Sequence, residues 1–548
     1  MKKYIAIFII CCIYFYFTFG FKILNPLEIS WFWKNSDPVQ QYLGWSFFRN
    51  EVWHWPPGLT ETFNVAQPLS IGLTDSLPLL AFLLKPFSFL LPDDFQYFGF
   101  YILISLFLQG VFACLLAQRY TENKILQILF STFFILSPPM LLRLNIHVAL
   151  ASHWLILVAI YDYPKSWNFK FLFVLTALSS LIHPYLMAMV FALFFFKMIF
   201  NNSLNIKIRF LHFVFCSSFS LFLSYLCGQF LSFNSVYASG FGDFSSNLLS
   251  FFDSNFISTE GLTLPIFFGV NPFERATQYL GFGLILCLIL VLFLKFFSKQ
   301  KIIIFGKEHQ GLLPCVFVMA FFSLATPIYF LNTPIIEIPI YDWQIFRPLA
   351  QMFRASARFA WPLFYVVNIF ILAFLLKRFS PKICMLIFSA ALILQIVDLA
   401  PKYQTIQKWH QKINQNLLWA HFPEEWNQYA KKNANMVFIT FSIAFPTENP
   451  NVYLVSWPYY FERIVNPSYF AYQHKMHGNY NFSRWDEDKA RTFMFEHWES
   501  LKAGKPAPNT LYVFLEDLST DFLKKELPKN LYSQLLFQNS YHLLPIQK

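Results

Sequence analysis

Two acids, Asp37 and Asp75, stand at opposite ends of one polar stretch in an otherwise very apolar chain. Asp37 lies in NSDPVQQYLGW, followed by Gln40, Gln41, Gly44 and Trp45 at helical spacings, so all five residues share one face of a helix beginning there. A carboxylate on a Gln-Gln-Trp face can serve as a base beside hydrogen-bonding groups that orient a polar substrate. The same Asp before Pro38 is also ordinary helix-start chemistry, a side-chain cap with proline in the first turn. Asp75, in IGLTDSLPLL, has the same two readings: Thr74, Asp75 or Ser76 can cap a helix entered by Pro78. It can also meet Asp37 over one pocket, and paired carboxylates can divide acid, base and metal roles.

Three histidines and three arginines extend the set. His147 and His153 lie in LNIHVALASHWLIL, and on a continuous helix their rings would stand about 120 degrees apart, unlike an i, i+4 metal pair. His183, in LIHPYL, occupies a polar break in an apolar run. Each is a candidate to orient a substrate or to make a structural hydrogen bond within the bundle. In FRPLAQMFRASARFAWP, Arg347, Arg354 and Arg358 are spaced by seven and four, which in a continuous helix projects all three on one side. Guanidinium forks bind phosphate oxygens at two points, and the alternative is pairing with lipid headgroups.

Several chemistries are excluded. Walker A, GxSxG and HExxH are missing, and GFG at 281–283 lacks the third glycine of a dinucleotide fingerprint. The 8 cysteines lie in or beside apolar runs without CxxC or Cys/His metal spacing. A net charge of +11 comes from small basic clusters between apolar runs, a topology signal and not a nucleic-acid surface.

The elements that must position these residues are membrane helices. Hydrophobic residues make up 56% and charged residues 13%, with mean hydropathy +0.45, far from a soluble composition. Candidate spans are 4–21, 95–118, 125–142, 146–161, 210–232, 277–297, 312–331, 359–377 and 382–399. The run 171–200 adds two short spans meeting at His183-Pro184, giving about 11 in all. The N-terminal run is read as an uncleaved first span, because Phe19, Gly20 and Phe21 make a poor signal cleavage site. Segment 76–92 carries Pro78, Lys85 and Pro86 and is read as re-entrant or interfacial.

With that segment excluded, the basic connections fall on one side, as the positive-inside rule requires. The long loop 22–94 and the tail 400–548 then face outward, in a bacterium toward the periplasm. Trp45, Trp53 and Trp55 in that loop suit an interfacial belt or a sugar-stacking surface. The tail offers strand-like MVFITFS, NVYLVSW, TLYVFLED and YHLLPI, with amphipathic stretches near 417–432 and 486–501. The expected architecture is an α-helical polytopic membrane domain over 1–399 with an exported soluble α/β domain over 400–548. The tail carries no catalytic motif and suits a scaffold or an acceptor-recognition module.

SDPVQQYLGWSFFR, TDSLPLLAFLLKP, HVALASHWLIL and FRASARFAWP resemble an uncharacterised bacterial membrane-protein family associated with the GT-C superfamily of integral membrane glycosyltransferases. The resemblance covers residues 30–365. It implies a polyprenyl-phosphate-linked sugar donor, an exported-side glycan, lipid or protein acceptor, no nucleotide, and a first-loop carboxylate as general base, a position matched by Asp37. Some such enzymes use an acidic pair and a divalent metal; here Asp37 has no adjacent acid, which leaves metal use open. Two rival readings are a lipid-linked-glycan polymerase or ligase and a transporter. A transporter predicts polar groups spread through the bilayer midplane, whereas here they crowd at one face.

Overall fold

A computed structural model describes residues 1–34, 36–63, 68–232, 241–242, 244–254, 278–297, 302–331, 333–339, 346–411, 429, 432–439, 469, 472, 476–478, 487–515, 518–538 and 541–546. In chain order the first helices are α1 (Lys2–Phe19), α2 (Ser36–Asn50), α3 (Pro78–Leu84), α4 (Phe98–Ala117), α5 (Lys124–Ile135), α6 (Pro138–Asn145) and α7 (Trp154–Asp162). They are followed by α8 (Phe169–Ile182), α9 (Pro184–Phe200), α10 (Ile206–Leu226), α11 (Phe282–Phe297), α12 (Leu312–Ser323), α13 (Arg347–Met352), α14 (Trp361–Arg378) and α15 (Pro381–Gln411), and between α2 and α3 the short strands β1 (Leu59–Thr60) and β2 (Leu69–Ser70) pair antiparallel. Five of the described helices are long and apolar enough to cross a membrane, or six if the bent pair α5–α6 counts as one span. The protein is a helical membrane protein.

The chain divides into two compact units. The first comprises Met1–Glu28, Gln96–Leu223 and Ala238–Lys412, and holds the apolar bundle. Prolines set several of its boundaries. The stretch 125–142, expected as one span, is two helices meeting at 51° where Pro138 and Pro139 begin the second. The run 171–200 breaks at His183, whose extended backbone (φ −163°, ψ 136°) ends α8 and starts α9.

Segment 312–331, expected as a span, is helical only to Ser323. Ala325 then adopts φ 50°, and a hairpin follows from β3 (Ile328–Phe330) to β4 (Thr333–Ile336). Polar contacts are buried inside the bundle. Asp398 of α15 accepts hydrogen bonds from Tyr279 Oη at 2.9 Å and from the Phe282 amide at 3.0 Å, pinning the start of α11. Lys197 and Asp162 form a buried ion pair at 2.5 Å.

The second unit joins Ile29–Phe95 and Ser224–Tyr237 to the tail Ile413–Lys548. Tyr42 and Tyr469 both donate to Asp94 Oδ1, at 3.1 and 2.9 Å, tying α2 to the tail. The Tyr472 hydroxyl donates to the Asp93 carbonyl at 2.5 Å, and burial pushes its pKa up to about 12. The tail carries a five-stranded mixed sheet of β5 (Asn435–Ile439), β6 (His477–Gly478), β7 (Thr510–Leu515), β8 (Leu536–Gln538) and β9 (Tyr541–Ile546), in the order β6-β5-β7-β9-β8. The two pairings of β5 are parallel, and those of β9 are antiparallel.

Among the described residues, three helices, α16 (Glu487–Lys502), α17 (Thr520–Glu526) and α18 (Lys529–Tyr532), accompany the sheet. Trp498, Leu501, Leu523 and Leu531 pack with Tyr512 and Phe514 in its core. Three of the four strand-like runs therefore contribute strands, as does the amphipathic stretch near 486–501 a helix. NVYLVSW lies outside the described residues, as does most of 417–432.

Candidate functional site

Helix α2 starts at Ser36, so Asp37 sits in its first turn, where the helix dipole favours negative charge. Asp37 is half-buried, and the face it begins is used. Gln40 Nε2 donates to the Leu73 carbonyl at 3.3 Å, and Ser76 Oγ donates to the Gln41 carbonyl at 2.7 Å. Gly44 lets the segment 74–76 lie directly on the helix: a Cβ there would meet Thr74 Oγ1 at 2.4 Å and Ser76 Oγ at 2.5 Å. The turn so held contains Asp75 at φ 57° and Leu77 at φ 54°, left-handed backbone that non-glycine residues rarely adopt. Such conformations persist only where the surroundings over-determine them. The α2 face thus brings the two acidic segments together in one packed assembly. Asp75 does not cap α3, since Leu77 precedes that helix.

The tryptophans separate by role. Trp45 is fully buried and donates to the Phe95 carbonyl at 2.9 Å, so it is a packing residue, whereas Trp53 and Trp55 are exposed. Sequence reading missed Arg49, one turn beyond. Its buried guanidinium donates to the carbonyls of Ser88, Leu91, Pro92 and Asp93 at 2.6–3.0 Å, holding the end of the loop. It also missed Glu51, whose carboxylate accepts from the amides of Glu61 and Thr62 at 2.7 and 3.0 Å. Lys85, buried, lies over the rings of Phe48 and Trp53 at 3.9 and 4.3 Å. Burial pulls its pKa down to about 8, against the opposing pull of the Glu51 charge.

In the other unit, the histidines and arginines depart from the continuous helices assumed for them. Residues 148–151 form a 3-10 turn, and α7 begins only at Trp154, so the angular relation expected between His147 and His153 does not hold. The reason is local: His147 (φ −114°, ψ 78°) and Ser152 (φ −74°, ψ 45°) both leave the helical region. His147 is half-buried at the foot of the turn, where its carbonyl accepts from Leu150.

His153 is fully buried against Trp361, with ring centroids 4.1 Å apart, and its Nδ1 pairs with the Tyr365 hydroxyl at 2.7 Å. That hydroxyl also accepts from Gln109 Nε2 at 3.1 Å and meets Ser137 Oγ at 3.3 Å. Arg143 lies over the Trp361 ring at 5.5 Å.

The three arginines likewise do not share one helix. Helix α13 stops at Met352, because Phe353 (ψ 43°) and Ala355 (ψ 63°) are non-helical, and a 3-10 turn carries Ser356–Ala360. Arg347 opens α13; its side chain lies outside the described set. Arg354 sits over Phe244 at 5.6 Å, and the buried Arg358 over Tyr185 at 4.7 Å. Tyr185 joins this segment to His183. Its hydroxyl accepts from the Ala355 amide at 3.0 Å, while its own amide donates to His183 Nδ1 at 3.1 Å. His183 therefore caps α9, and the structure does bring His183 and Arg358 to one residue.

Among the described residues no group of three or more His, Cys, Asp or Glu side chains is arranged to hold a metal ion. Comparison with known proteins gives one match: a family model described as Domain of unknown function (DUF6311) covers residues 8–400. No curated protein and no solved structure matches the chain.

Proposed function

The chain belongs to the DUF6311 family, and on that premise we propose that it is an integral membrane glycosyltransferase taking a polyprenyl-phosphate-linked sugar on the exported side of the bacterial inner membrane. The observation that carries the reading is the seating of the Asp75 turn on the helix face that begins with Asp37. An acid at the start of that face, with a second acid on the turn packed against it, suits proton removal from an acceptor hydroxyl. Asp37 is the proposed base. As it takes the hydroxyl proton, the acceptor oxygen forms a bond to the anomeric carbon, and the bond to the lipid phosphate breaks.

Arg354 and Arg358 are proposed to receive the charge that grows on that leaving phosphate, for which guanidinium forks are well matched. His147, His153 and His183 are proposed as orienting groups. The proposed topology has about 11 crossings, one before the first exported loop and an even number between it and the tail. Its support is that loop and tail share one compact unit, since an even number of crossings returns the chain to the same side. In this reading the tail is a periplasmic α/β domain that recognises the glycan, lipid or protein acceptor.

The test is an assay of the purified full chain with a panel of polyprenyl-phosphate sugars and native bacterial lipid extract. Release of polyprenyl phosphate with sugar transfer supports the reading. Turnover only of oligosaccharide-linked donors moves the function to polymerisation or ligation. Movement of lipid or glycan across vesicles without bond cleavage makes the protein a transporter.

A further inference from the structure

Lys85 is the described cation least accounted for. It is 5% exposed, and its ammonium makes no hydrogen bond among the described residues. The two aromatic faces of Phe48 and Trp53 lie against it, and Phe82 packs edge-on to Phe48 and stacks on Trp53. Cation–π contact and the nearby Glu51 charge compensate this buried ammonium only in part, and its three donors have no acceptor among the described residues. Such a group calls for an anion.

The surface near the lysine is apolar and uncovered. Trp53 is 51% and Phe89 82% exposed, with Leu83, Phe87 and Leu90 also exposed. That composition, aromatic and aliphatic with a basic group beneath, is that of a surface seated at a membrane–water interface. Seven residues, Leu91–Tyr97, link it to the candidate membrane span starting at Phe98, a tether of at most about 28 Å. Arg49 holds the Ser88 carbonyl within the segment and those of Leu91, Pro92 and Asp93 just beyond it, so the segment is presented as a fixed shape.

We propose that Lys85, between Phe48 and Trp53, binds the phosphate of an anionic phospholipid whose acyl chains lie against the apolar surface of residues 83–90. Trp53 is the movable wall: half exposed, it can turn aside as the four-carbon lysine stem extends its ammonium toward the headgroup. The site is independent of the glycosyl-transfer reading, because it needs only the leaflet beside the segment.

The test uses the full chain, purified and delipidated in detergent, with Phe89→Cys carrying an environment-sensitive fluorophore. Short-chain phosphatidylglycerol, phosphatidylcholine and inorganic phosphate are titrated separately. The expected result is a saturable shift with phosphatidylglycerol at about tenfold or lower concentration than with phosphatidylcholine, and none with phosphate alone. Lys85→Gln should remove that preference and Lys85→Arg should keep it; if the glutamine variant does not fold, Lys85→Met replaces it. Equal affinity for both lipids, retention of the preference without Lys85, or a shift with inorganic phosphate alone would overturn the proposal.

Discussion

Replacing Gly44 with alanine tests the packing on which the candidate site depends. In an isolated helix the change stabilises by about 1 kcal/mol, because glycine has the greater conformational freedom to lose. Here the added Cβ falls 2.4 Å from Thr74 Oγ1, 2.5 Å from Ser76 Oγ and 2.6 Å from Thr74 Cβ. The turn must recede by about 1 Å to restore ordinary contact, at an overpacking cost of about 2 kcal/mol. That movement breaks the hydrogen bond from Ser76 to Gln41 and lengthens the one from Gln40 to Leu73, already 3.3 Å. Each contributes about 1 kcal/mol. The balance is a loss of about 3 kcal/mol, or roughly 100-fold more frequent opening of the turn. Hydrogen exchange of the purified full chain reads this at the amides of Thr74 and Ser76, which donate to Ser70 and Ile71. Unchanged or slower exchange, the outcome if helix propensity dominated, would refute the reasoning.

Other perturbations have comparably specific outcomes. Arg49→Met should destabilise the loop ahead of α4 by at least about 3 kcal/mol, since four carbonyls lose a charged donor, and limited proteolysis should then cut within 88–95. Asp398→Ala removes two hydrogen bonds to a buried carboxylate and should cost about 3–5 kcal/mol, read as a lower unfolding midpoint of the bundle. His497 and His542 are both held below the ordinary histidine pKa by burial, with Glu496 and the Leu518 backbone pulling the other way. The unfolded tail therefore binds more protons than the folded one, and stability that is full above about pH 6.5 is lost as the pH falls through the lower folded values. Proteolysis of residues 487–546 in the full chain should accelerate between pH 8 and pH 5, and less steeply in His497→Gln.

Much of the bundle is legible because its cause is local. Apolar runs locate the helices, and His183-Pro184 ends one and starts the next as proline chemistry dictates. Asp37, Gln40, Gln41 and Gly44 were readable as one face because α2 is continuous. The arginine register failed for the converse reason: two non-helical residues, Phe353 and Ala355, undo a spacing argument that assumes an unbroken helix. Burial of Asp398, Asp162 and Lys197 depends on partners distant in the chain, so no local pattern announces it. The same holds for the joining of the first loop to the tail, where Asp94 meets Tyr469 across 375 positions. Strands β6 and β8, two and three residues long, are too short to show a period.

The central claim is that Asp37 is the base of a glycosyl transfer, and the most direct measurement compares Asp37→Asn with wild type in donor consumption by the purified full chain. Asparagine preserves the shape of the side chain, while its amide cannot accept a proton at neutral pH. The account predicts a loss of at least about 100-fold in turnover, from the general-base contribution, with the unfolding midpoint unchanged. Equal turnover by the two proteins would contradict it and leave Asp37 as a helix-start residue.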